Sequence, residues 1–334
     1  MLTVSVLGLG LIGGSLLRAL ARAGYPTCGY DADPATRAAA REAASDAPTG
    51  KVAWRVADSV ADAAADTDLA VLAVPLPAAS AVLDELAHAG FTGIVSDVTS
   101  VKGPVAELVA AHLPDARHIG GHPMAGKEVS GFAASDPTLF TDRVWALCLP
   151  EPGRRSEPAG DAVPLDDWLT VAETVTALGA RVTPVTAAEH DTAVATISHL
   201  PHLAACAIAA AGGSGLPGTL AAGSFRDGTR VAASPPALVA AMCGGNAPAL
   251  VPALDDMIAA LAEARARLTS PDPIAAVRNW LVPGHTARSN WPPTAGPTTE
   301  LPATADHLLA LGRAGGWLTA VARNRHTVTA IRPA

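Results

Sequence analysis

The chain begins with a short apolar run that leads directly into three glycines, and this combination limits the possible folds more than any other feature. The run Val4–Leu7 has the composition of a buried parallel strand, and a helical pattern follows over 11–23. Between them, Gly8, Gly10 and Gly13 have the G-x-G-x-x-G spacing. In a strand-turn-helix these glycines permit a tight turn, a close approach of the backbone to a pyrophosphate and close helix–strand packing. The sequence therefore predicts a Rossmann-type dinucleotide site.

The carboxylate expected beside such a glycine loop is also present. Asp31 ends the next apolar segment and lies about 20 residues after Gly10, the distance typical of the acid that binds the ribose hydroxyls. Asp33 adds negative charge, and no arginine follows before Arg37, so NAD is predicted over NADP. A glycine-rich turn without a ligand is the alternative. The predicted cofactor contacts here are Gly8, Leu9, Gly10, Leu11, Ile12, Gly13 and Asp31.

Apolar strands and helical patterns alternate along the first half of the chain. The strand-like segments 68–75 and 93–98 are each followed by a helical pattern, which indicates βαβ units and a parallel sheet. Ligands of such sheets bind beyond the carboxyl ends of the strands. The residues expected to line this crevice beside the glycine loop are Ala73, Val74, Pro75 and Ser100.

From the capping-box pattern of Thr186 and Glu189 onward, the chain becomes helical. Pro201 should disturb the first long helix, because proline removes one backbone hydrogen bond. The predicted fold is α/β, with an N-terminal Rossmann-type domain over 1–186 and an all-helical domain over 187–270. A proline-rich linker and a small appendix are predicted for 271–334, and 150–164 has the composition of an exposed insertion.

Composition excludes several classes of partner. The 334 residues carry a net charge of −8, which argues against a nucleic-acid groove or an anionic membrane as partner. No uninterrupted apolar run approaches the roughly 18 residues of a membrane span, and no basic segment precedes an apolar core at the start. The scattered Cys28, Cys148, Cys206 and Cys243 indicate buried thiols in a reducing compartment. A cytoplasmic protein acting on a small molecule is predicted.

His122 is predicted to lie in a glycine-flanked loop, between Gly121 and Gly126. Its imidazole titrates near neutral pH and could accept a proton while a hydride leaves a carbinol carbon. A histidine that only bonds a loop carbonyl is the equally weighted alternative.

A second polar cluster follows His190 and Asp191 on the first long helix. Ser198, His199 and His202 have helical spacing and are expected to project within one narrow sector, where a ligand with several oxygens would satisfy them. A metal shared by His199 and His202 is the rival interpretation. No third ligand accompanies them at recognisable spacing, so no metal is predicted.

The third polar cluster lies between two helical patterns. Gly223 opens a segment that contains Arg226, Asp227 and Arg230. Arg226 can pair with the adjacent Asp227, whereas Arg230 has no acidic neighbour in sequence. Because guanidinium groups bind carboxylates in a planar fork, Arg230 is predicted to hold a substrate anion; a solvated surface arginine is the alternative.

Five motifs together resemble the prephenate/arogenate dehydrogenase family of tyrosine biosynthesis. In order they are GLGLIGGS at 8–15, DVTSVK at 97–102, GHPMAG at 121–126, SHLPH at 198–202 and GSFRDGTR at 223–230. The resemblance covers roughly residues 1–268. The first motif is shared by many dehydrogenases, whereas the last three together are specific.

The resemblance implies NAD-dependent oxidative decarboxylation of a cyclohexadienol, between a nucleotide-binding domain and a helical domain that forms a homodimer. By position, His122 is the catalytic histidine at the ring hydroxyl, and Ser100 supports that hydroxyl and the nicotinamide. Arg230 binds a substrate carboxylate. The remaining residues assigned to substrate binding are Ser198, His199, His202 and Gly223.

Several alternatives stay open at this point. Arogenate differs from prephenate only by an amine on the side chain, and no acid can be placed against it from the sequence. A hydroxyacid dehydrogenase, an imine reductase or a dinucleotide-sensing module could use the same scaffold. Some family members carry a tryptophan just beyond the Thr-Arg pair, where 231–239 has none. The segment 299–333 faintly resembles a regulatory ACT module but is too short for a whole one.

Overall fold

The computed structural model describes residues 2–45, 54–127, 129–151 and 165–334. It divides into two compact units. Unit 1 comprises Met1–Asp191 with Thr298–Arg332, and unit 2 comprises Thr192–Pro297 with Pro333–Ala334. Most of the expected insertion at 150–164 lies outside the described residues.

A six-stranded parallel sheet forms the first half of unit 1. Its strand order is β3-β2-β1-β4-β5-β6, the order of a doubly wound dinucleotide-binding fold. Leu7, Leu72 and Asp97 stand side by side in the registers of β1, β4 and β5, so these three strands end at the same level. The strands are β1 Val4–Leu7, β2 Thr27–Tyr30, β3 Arg55–Val56, β4 Leu69–Leu72, β5 Ile94–Asp97 and β6 Arg117–Ile119.

Helices link these strands and bury their apolar faces. On α1, Leu16, Leu17 and Leu20 are buried in the core cluster that contains Val4 and Val6 of β1. This burial follows the helical periodicity of the sequence. The helices of unit 1 up to residue 177 are α1 Leu11–Arg22, α2 Pro34–Ser45, α3 Val60–Ala64, α4 Leu76–His88, α5 Gly103–His112 and α6 Leu165–Ala177.

A second six-stranded sheet, mixed in direction, completes unit 1, with the order β10-β12-β11-β9-β8-β7. The chain passes from β6 into β7 at Gly120, so His122 lies on a strand and its predicted position in a loop is wrong. The apolar segments 144–148 and 181–185 supply β8 and β9 of this sheet. Its strands are β7 Gly121–Pro123, β8 Val144–Cys148, β9 Arg181–Val185, β10 Ala295–Pro302, β11 Trp317–Val321 and β12 Thr327–Pro333.

The end of the chain joins this second sheet instead of forming an appendix of its own. In β11, Leu318 pairs with Val182 of β9 in antiparallel fashion. The helix Ala305–Arg313 packs so closely on β9 that a Cβ on Gly312 would lie 1.8 Å from the Pro184 carbonyl oxygen. Most of 298–334 therefore belongs to the same compact unit as the nucleotide-type sheet.

Unit 2 is helical over most of its length. The expected capping box is present, because the Glu189 N–H donates to Thr186 Oγ1 and the Thr186 N–H donates to Glu189 Oε2. A π-helical turn over Ala195–His199 lies just before Pro201. The helix is therefore irregular at the position where Pro201 was predicted to disturb it. Helix α7, Ala187–Val194, begins in unit 1 and ends in unit 2. The helices that follow in unit 2 are α8 Leu200–Gly212, α9 Gly215–Leu220, α10 Gly223–Thr229, α11 Pro236–Gly245, α12 Ala247–Leu268 and α13 Pro273–Ser289.

Helix α13 lies where the sequence suggested a proline-rich linker. Pro273 occupies the start of the helix, where a missing N–H costs no hydrogen bond. The Asp272 carboxylate caps this end by accepting from the Ala275 N–H at 3.1 Å. The expectation of an irregular segment from 271 onward is corrected accordingly.

By length and composition, the helical stretch Ala187–Gly212 could cross a membrane, with a mean hydropathy of 1.5. The pair Pro236–Gly245 and Ala247–Leu268 passes the same test together but is bent by 95°. A core helix of a soluble protein meets these criteria equally well.

The four cysteines are all free thiols, but they are not all buried. Cys28 is buried, Cys148 and Cys243 are half-buried, and Cys206 is exposed. The expectation of four buried thiols is therefore wrong for Cys206, which lies on an outward face of α8.

Candidate active site

The glycine loop between β1 and α1 has the geometry that a bound pyrophosphate requires. Gly8 has a φ of +103°, and a Cβ there would lie 2.5 Å from the Ala73 carbonyl oxygen. A Cβ on Gly13 would lie 1.8 Å from the Gly8 carbonyl oxygen. On Gly10, by contrast, a Cβ would meet no atom within 4 Å, and no side chain caps the helix that starts here. The N-terminus of α1 therefore faces open space suited to phosphate.

Asp31 follows β2 and is held against the glycine loop. Its Oδ2 accepts a hydrogen bond from the Leu9 N–H at 2.6 Å, and its Oδ1 accepts one from the Asp33 N–H at 2.9 Å. The Arg37 guanidinium lies nearby and donates to the carbonyl oxygens of Asp31 and Ala32. The carboxylate is thus fixed at the strand end where a ribose would lie.

Two further strand ends line the same edge of the first sheet. After β4, the Ala73 N–H donates to the Leu7 carbonyl oxygen at 2.7 Å, which brings Ala73 against the glycine loop; Val74 and Pro75 follow it outward. After β5, Ser100 is half-buried in the loop that leads to α5. The predicted cofactor residues of unit 1 and Ser100 therefore meet at one edge of the sheet.

A buried ion pair between Asp97 and Lys102 lies at the carboxyl end of β5. The Lys102 ammonium group donates to Asp97 Oδ1, to Thr99 Oγ1 at 3.0 Å and to the Gly121 carbonyl oxygen at 2.5 Å. Burial would raise the pKa of Asp97, but the charge of Lys102 and the hydrogen bond and charge of His118 outweigh it, so this pKa lies well below its usual range. The pair fixes the residue that precedes His122.

His122 lies on β7, opposite Ala146 of β8. Its Nδ1 is 2.9 Å from Nε2 of the buried His190, and the two rings meet edge to face. The Nδ1 of His190 is in turn 2.8 Å from Oδ1 of Asp191. His122 therefore belongs to a connected polar chain, and the alternative of a histidine bonded only to a loop carbonyl does not describe this contact.

No individual role in the site was predicted for His190, Asp191, Asp97 or Lys102, although all four are part of this site in unit 1. A usable signal was present for two of them. The capping box of Thr186 and Glu189 starts α7, so His190 and Asp191 fall in its first turns, at the edge of unit 1. What no local pattern reveals is the contact with His122, which is 68 residues away in sequence.

In unit 2, the structure separates His199 from its predicted neighbours. The ring of His199 is fully buried, with Nδ1 3.1 Å from Asn246 Nδ2, whereas Ser198 and His202 are half-buried. The π turn over Ala195–His199 departs from the α-helical spacing on which the shared sector was predicted. The prediction of His199 as a pocket-lining residue is corrected: it is a core residue of unit 2.

His202 and Arg230 lie close together in unit 2. Burial lowers the pKa of His202, a contact with the Val231 backbone opposes this, and the positive charge of Arg230 adds to the lowering. Gly223 begins α10, and Arg226 pairs with Asp227 at the exposed surface, as the sequence indicated. Within the described ranges, no group of three or more His, Cys, Asp or Glu side chains could hold a metal ion.

Comparisons with known proteins match two successive parts of the chain. Residues 16–157 match the prephenate dehydrogenase nucleotide-binding domain model, and residues 186–276 match the prephenate dehydrogenase dimerization domain model. A cyclohexadienyl dehydrogenase of Zymomonas mobilis is 35% identical over 212 residues, which are 61% of this chain and 69% of that protein. The chain belongs to the prephenate dehydrogenase family. With its glycine loop and Asp31, it is an NAD-dependent oxidoreductase.

Other members of the prephenate dehydrogenase family resemble the chain over much of its length. A Bacillus subtilis prephenate dehydrogenase is 29% identical over 71% of this chain and 62% of that protein. Among solved structures, a candidate prephenate dehydrogenase from Corynebacterium glutamicum is 36% identical, with a TM-score of 0.77 over 87% of this chain and 89% of its own. A Synechocystis arogenate dehydrogenase is 26% identical, with a TM-score of 0.69 over 87% of this chain and 100% of its own.

Proposed function

We propose that this family member oxidises prephenate with NAD and releases carbon dioxide and 4-hydroxyphenylpyruvate. The single observation that carries the proposal is His122, a histidine fixed by the buried His190 in the same unit as a glycine loop open to a pyrophosphate. Such a histidine suits the removal of a hydroxyl proton during hydride loss.

Most of the proposed contacts to the cofactor are made by backbone atoms and fewer by side chains. Gly8, Gly10 and Gly13 leave room for the pyrophosphate at the start of α1, while Asp31 accepts from a ribose hydroxyl. Ala73, Val74 and Pro75 form the wall beside the glycine loop. NAD, when bound, supplies a hydride acceptor at its nicotinamide ring.

The proposed catalytic group is the His122 imidazole, supported by Ser100. His122 takes the proton of the ring hydroxyl as hydride departs from ring C4, so that a C4 carbonyl forms. The bond between ring C1 and its carboxylate then breaks, carbon dioxide leaves, and the electron pair aromatises the ring to a phenolate. The phenolate takes back the proton held by His122, which yields the phenol and restores the neutral imidazole. General-base assistance of this kind is worth roughly 10²–10⁴ in rate.

The proposed substrate groups in unit 2 are fewer than the sequence predicted. Arg230 binds a substrate carboxylate through its planar guanidinium group. Ser198, His202 and Gly223 supply the remaining polar contacts, without His199, whose ring is fully buried. Because burial lowers the pKa of His202 and the charge of Arg230 adds to this lowering, the neutral imidazole is favoured at the substrate.

We further propose that the chain forms a homodimer through unit 2 and works in the cytoplasm. The helices of unit 2 expose many large apolar side chains, among them Ile258 and Leu261 of α12, at 57% and 53% exposure. A second copy of the same face is a suitable partner, because this region matches a dimerization domain.

Arogenate is the second candidate substrate. The Synechocystis structure of 26% identity is an arogenate dehydrogenase, and the name of the Zymomonas mobilis relative, cyclohexadienyl dehydrogenase, covers both ring substrates. Arogenate differs from prephenate by an ammonium group on the side chain, which a nearby acid would favour.

One assay separates these candidates. The purified full-length chain is given prephenate or arogenate with NAD or NADP, and reduced nicotinamide is followed by its absorbance. We expect the highest kcat/KM with prephenate and NAD. Equal or better efficiency with NADP would overturn the cofactor preference, a preference for arogenate would favour the second candidate, and cofactor binding without turnover would indicate a sensing module.

A further inference from the structure

His122 is one end of a chain of three side chains that ends in a carboxylate. Its Nδ1 lies 2.9 Å from Nε2 of His190, and the Nδ1 of His190 lies 2.8 Å from Oδ1 of Asp191. His190 is buried, with 3% of its surface exposed, so water does not compete for these contacts. All three residues belong to unit 1.

The carboxylate of Asp191 is itself fixed by the start of α5. The backbone N–H groups of Lys102 and Gly103 donate to its two oxygens, each at 2.8 Å. Burial acts to raise the pKa of Asp191, but the hydrogen bonds from His190, Gly103 and Lys102 outweigh burial and lower it. Asp191 is therefore anionic at neutral pH and accepts hydrogen bonds from His190 and from the backbone N–H groups of Lys102 and Gly103.

The anionic carboxylate of Asp191 determines which ring nitrogen of His190 and of His122 carries the proton. Oδ1 of Asp191 can only accept, so a neutral His190 must carry its proton on Nδ1. The Nε2 of His190 then holds a lone pair and must accept from Nδ1–H of His122. A neutral His122 with its proton on Nδ1 has its lone pair on Nε2, which is the form a general base needs.

We propose that His190 and Asp191 are positioning residues that hold His122 in the Nδ1–H form and stabilise its imidazolium during the reaction. This rests on the proposed function for the identity of the substrate, but the tautomer itself belongs to the protein alone. When His122 takes the hydroxyl proton on Nε2, it keeps donating from Nδ1 to His190. The same logic applies to a carboxylate that orients the histidine of a serine protease triad.

Other ionisable groups surround this chain without replacing Asp191 in it. Asp97 at the end of β5 is bonded to Lys102 and to His118 of β6. On β8, burial raises the pKa of the Cys148 thiol to about 12, so it stays neutral. The Lys102 ammonium group donates to Asp97 and to the Gly121 carbonyl oxygen, whereas the backbone N–H of Lys102 donates to Asp191.

The test compares Asp191→Asn, His190→Gln and His190→Ala in the full-length enzyme. For Asp191→Asn we expect kcat to fall at least about tenfold and by no more than the roughly 10²–10⁴ of general-base catalysis, with KM for prephenate and NAD nearly unchanged. Because the imidazolium loses its anion, the acid limb of kcat against pH should move down by about one pH unit. His190→Gln should retain more kcat than His190→Ala, since an amide oxygen can still accept from His122 Nδ1–H.

A control is provided by another His–Asp pair of unit 1, which is more exposed. The His112 ring is 2.6 Å from Asp84 Oδ1, so Asp84→Asn removes the carboxylate of a His–Asp pair that lies outside the chain of His122, His190 and Asp191. It should leave kcat and the acid limb unchanged. Thermal unfolding of each variant separates lost catalysis from lost folding, because Asp191 also contacts the start of α5.

Nitrogen-15 NMR of the histidine rings provides a readout that needs no substrate. With His122→Asn used for assignment, the His122 signals should report the Nδ1–H form in the wild type and a shift toward Nε2–H in Asp191→Asn. An Nε2–H form in the wild type, or a folded Asp191→Asn enzyme with unchanged kcat and acid limb, would overturn the proposal. A wild type that shows the expected tautomer but turns over neither substrate contradicts the proposed function and leaves the positioning role intact.

Discussion

The two units of the chain bury different kinds of residue. Unit 1 encloses two apolar core clusters, one of which includes residues of both sheets, and it also buries the ion pair of Lys102 and Asp97. In the described part of unit 2, the buried apolar residues are few, namely Val194, Ala195, Ala205 and Leu250. Most of its large aliphatic side chains are exposed, up to 83% for Ile274.

This difference indicates how each unit is stabilised. Unit 1 buries enough apolar surface within one chain to offset the desolvation cost of a buried charged network. Unit 2 leaves its apolar surface to be covered by something else, and a second copy is the proposed cover. Changes in unit 1 should therefore act on chemistry and on the folding of the single chain, whereas changes in unit 2 should act on assembly and substrate affinity.

The largest effect is expected from His122→Asn. Asparagine can occupy the site but cannot take a proton, so kcat should fall by about 10²–10⁴ while KM for prephenate stays within a few-fold. Steady-state kinetics of the purified variant provides the measurement. As the contrasting arm in unit 2, Arg230→Met should mainly raise KM. Near-normal turnover by His122→Asn would remove His122 from the mechanism. It would also contradict the expectation that unit 1 supplies the catalytic group.

Lys102→Met should lower the free energy of unfolding by about 3–5 kcal/mol, because it leaves the Asp97 carboxylate buried without its ammonium partner. The matched control is Arg267→Met in unit 2, which removes an exposed helical pair with Glu263 and should cost at most about 0.5 kcal/mol. Urea unfolding of both variants gives the comparison. If both variants lost a similar free energy of unfolding, the burial of the Lys102–Asp97 pair would not make it more important for stability than the exposed Arg267–Glu263 pair.

Features that depend on neighbouring residues could be predicted from the sequence, whereas features that depend on contacts between distant parts of the chain could not. The glycine loop, Asp31 and the parallel strands follow from local patterns, and the strand order matches the expectation for a dinucleotide fold. The second sheet could not be foreseen, because β11 reaches β9 from the far end of the chain. The bond from His122 to His190 likewise depends on tertiary packing.

Local irregularities explain the remaining errors. His199 was assigned to the polar sector on the assumption of α-helical spacing, and the π turn invalidates that assumption. The helix α13 was missed because Pro273 and Pro283 suggested a linker, although the first lies at the helix start, where proline is well tolerated.

Adding charge to the exposed face of α12 should separate the proposed dimer. Ile258 and Leu261 are one turn apart and both exposed, so the double variant Ile258→Glu with Leu261→Glu would place four carboxylates across a two-fold contact. Analytical ultracentrifugation at micromolar concentration should show the wild type as a dimer and the variant as a monomer. Val129→Glu introduces a charge at an equally exposed aliphatic residue of unit 1 and should leave the mass unchanged. A dimeric double variant would place the interface elsewhere.

Gly10→Ala should weaken NAD binding without loss of stability. The added methyl group meets no protein atom within 4 Å, so it occupies only the space reserved for the pyrophosphate, and KM for NAD should rise about tenfold or more. Gly13→Ala is the matched variant: its methyl group would lie 1.8 Å from the Gly8 carbonyl oxygen, and it should lower Tm as well. If Gly10→Ala kept the wild-type KM, the loop would not be the phosphate site.

The smallest expected effect concerns His202 and acts through pH. Its pKa is lowered from 6.5 in the folded chain, first by burial and then by the charge of Arg230, so the unfolded chain takes up a proton at a higher pH than the folded one. The contribution of the neutral ring is therefore complete above about pH 6.5 and is lost as the pH falls below it. We expect Tm to drop between about pH 7.5 and pH 5.5 by more in the wild type than in His202→Gln, which cannot titrate. Because the same ring belongs to the proposed substrate pocket, prephenate should reduce that difference, whereas an equal pH dependence of Tm in both proteins would mean that His202 is too solvated to serve there.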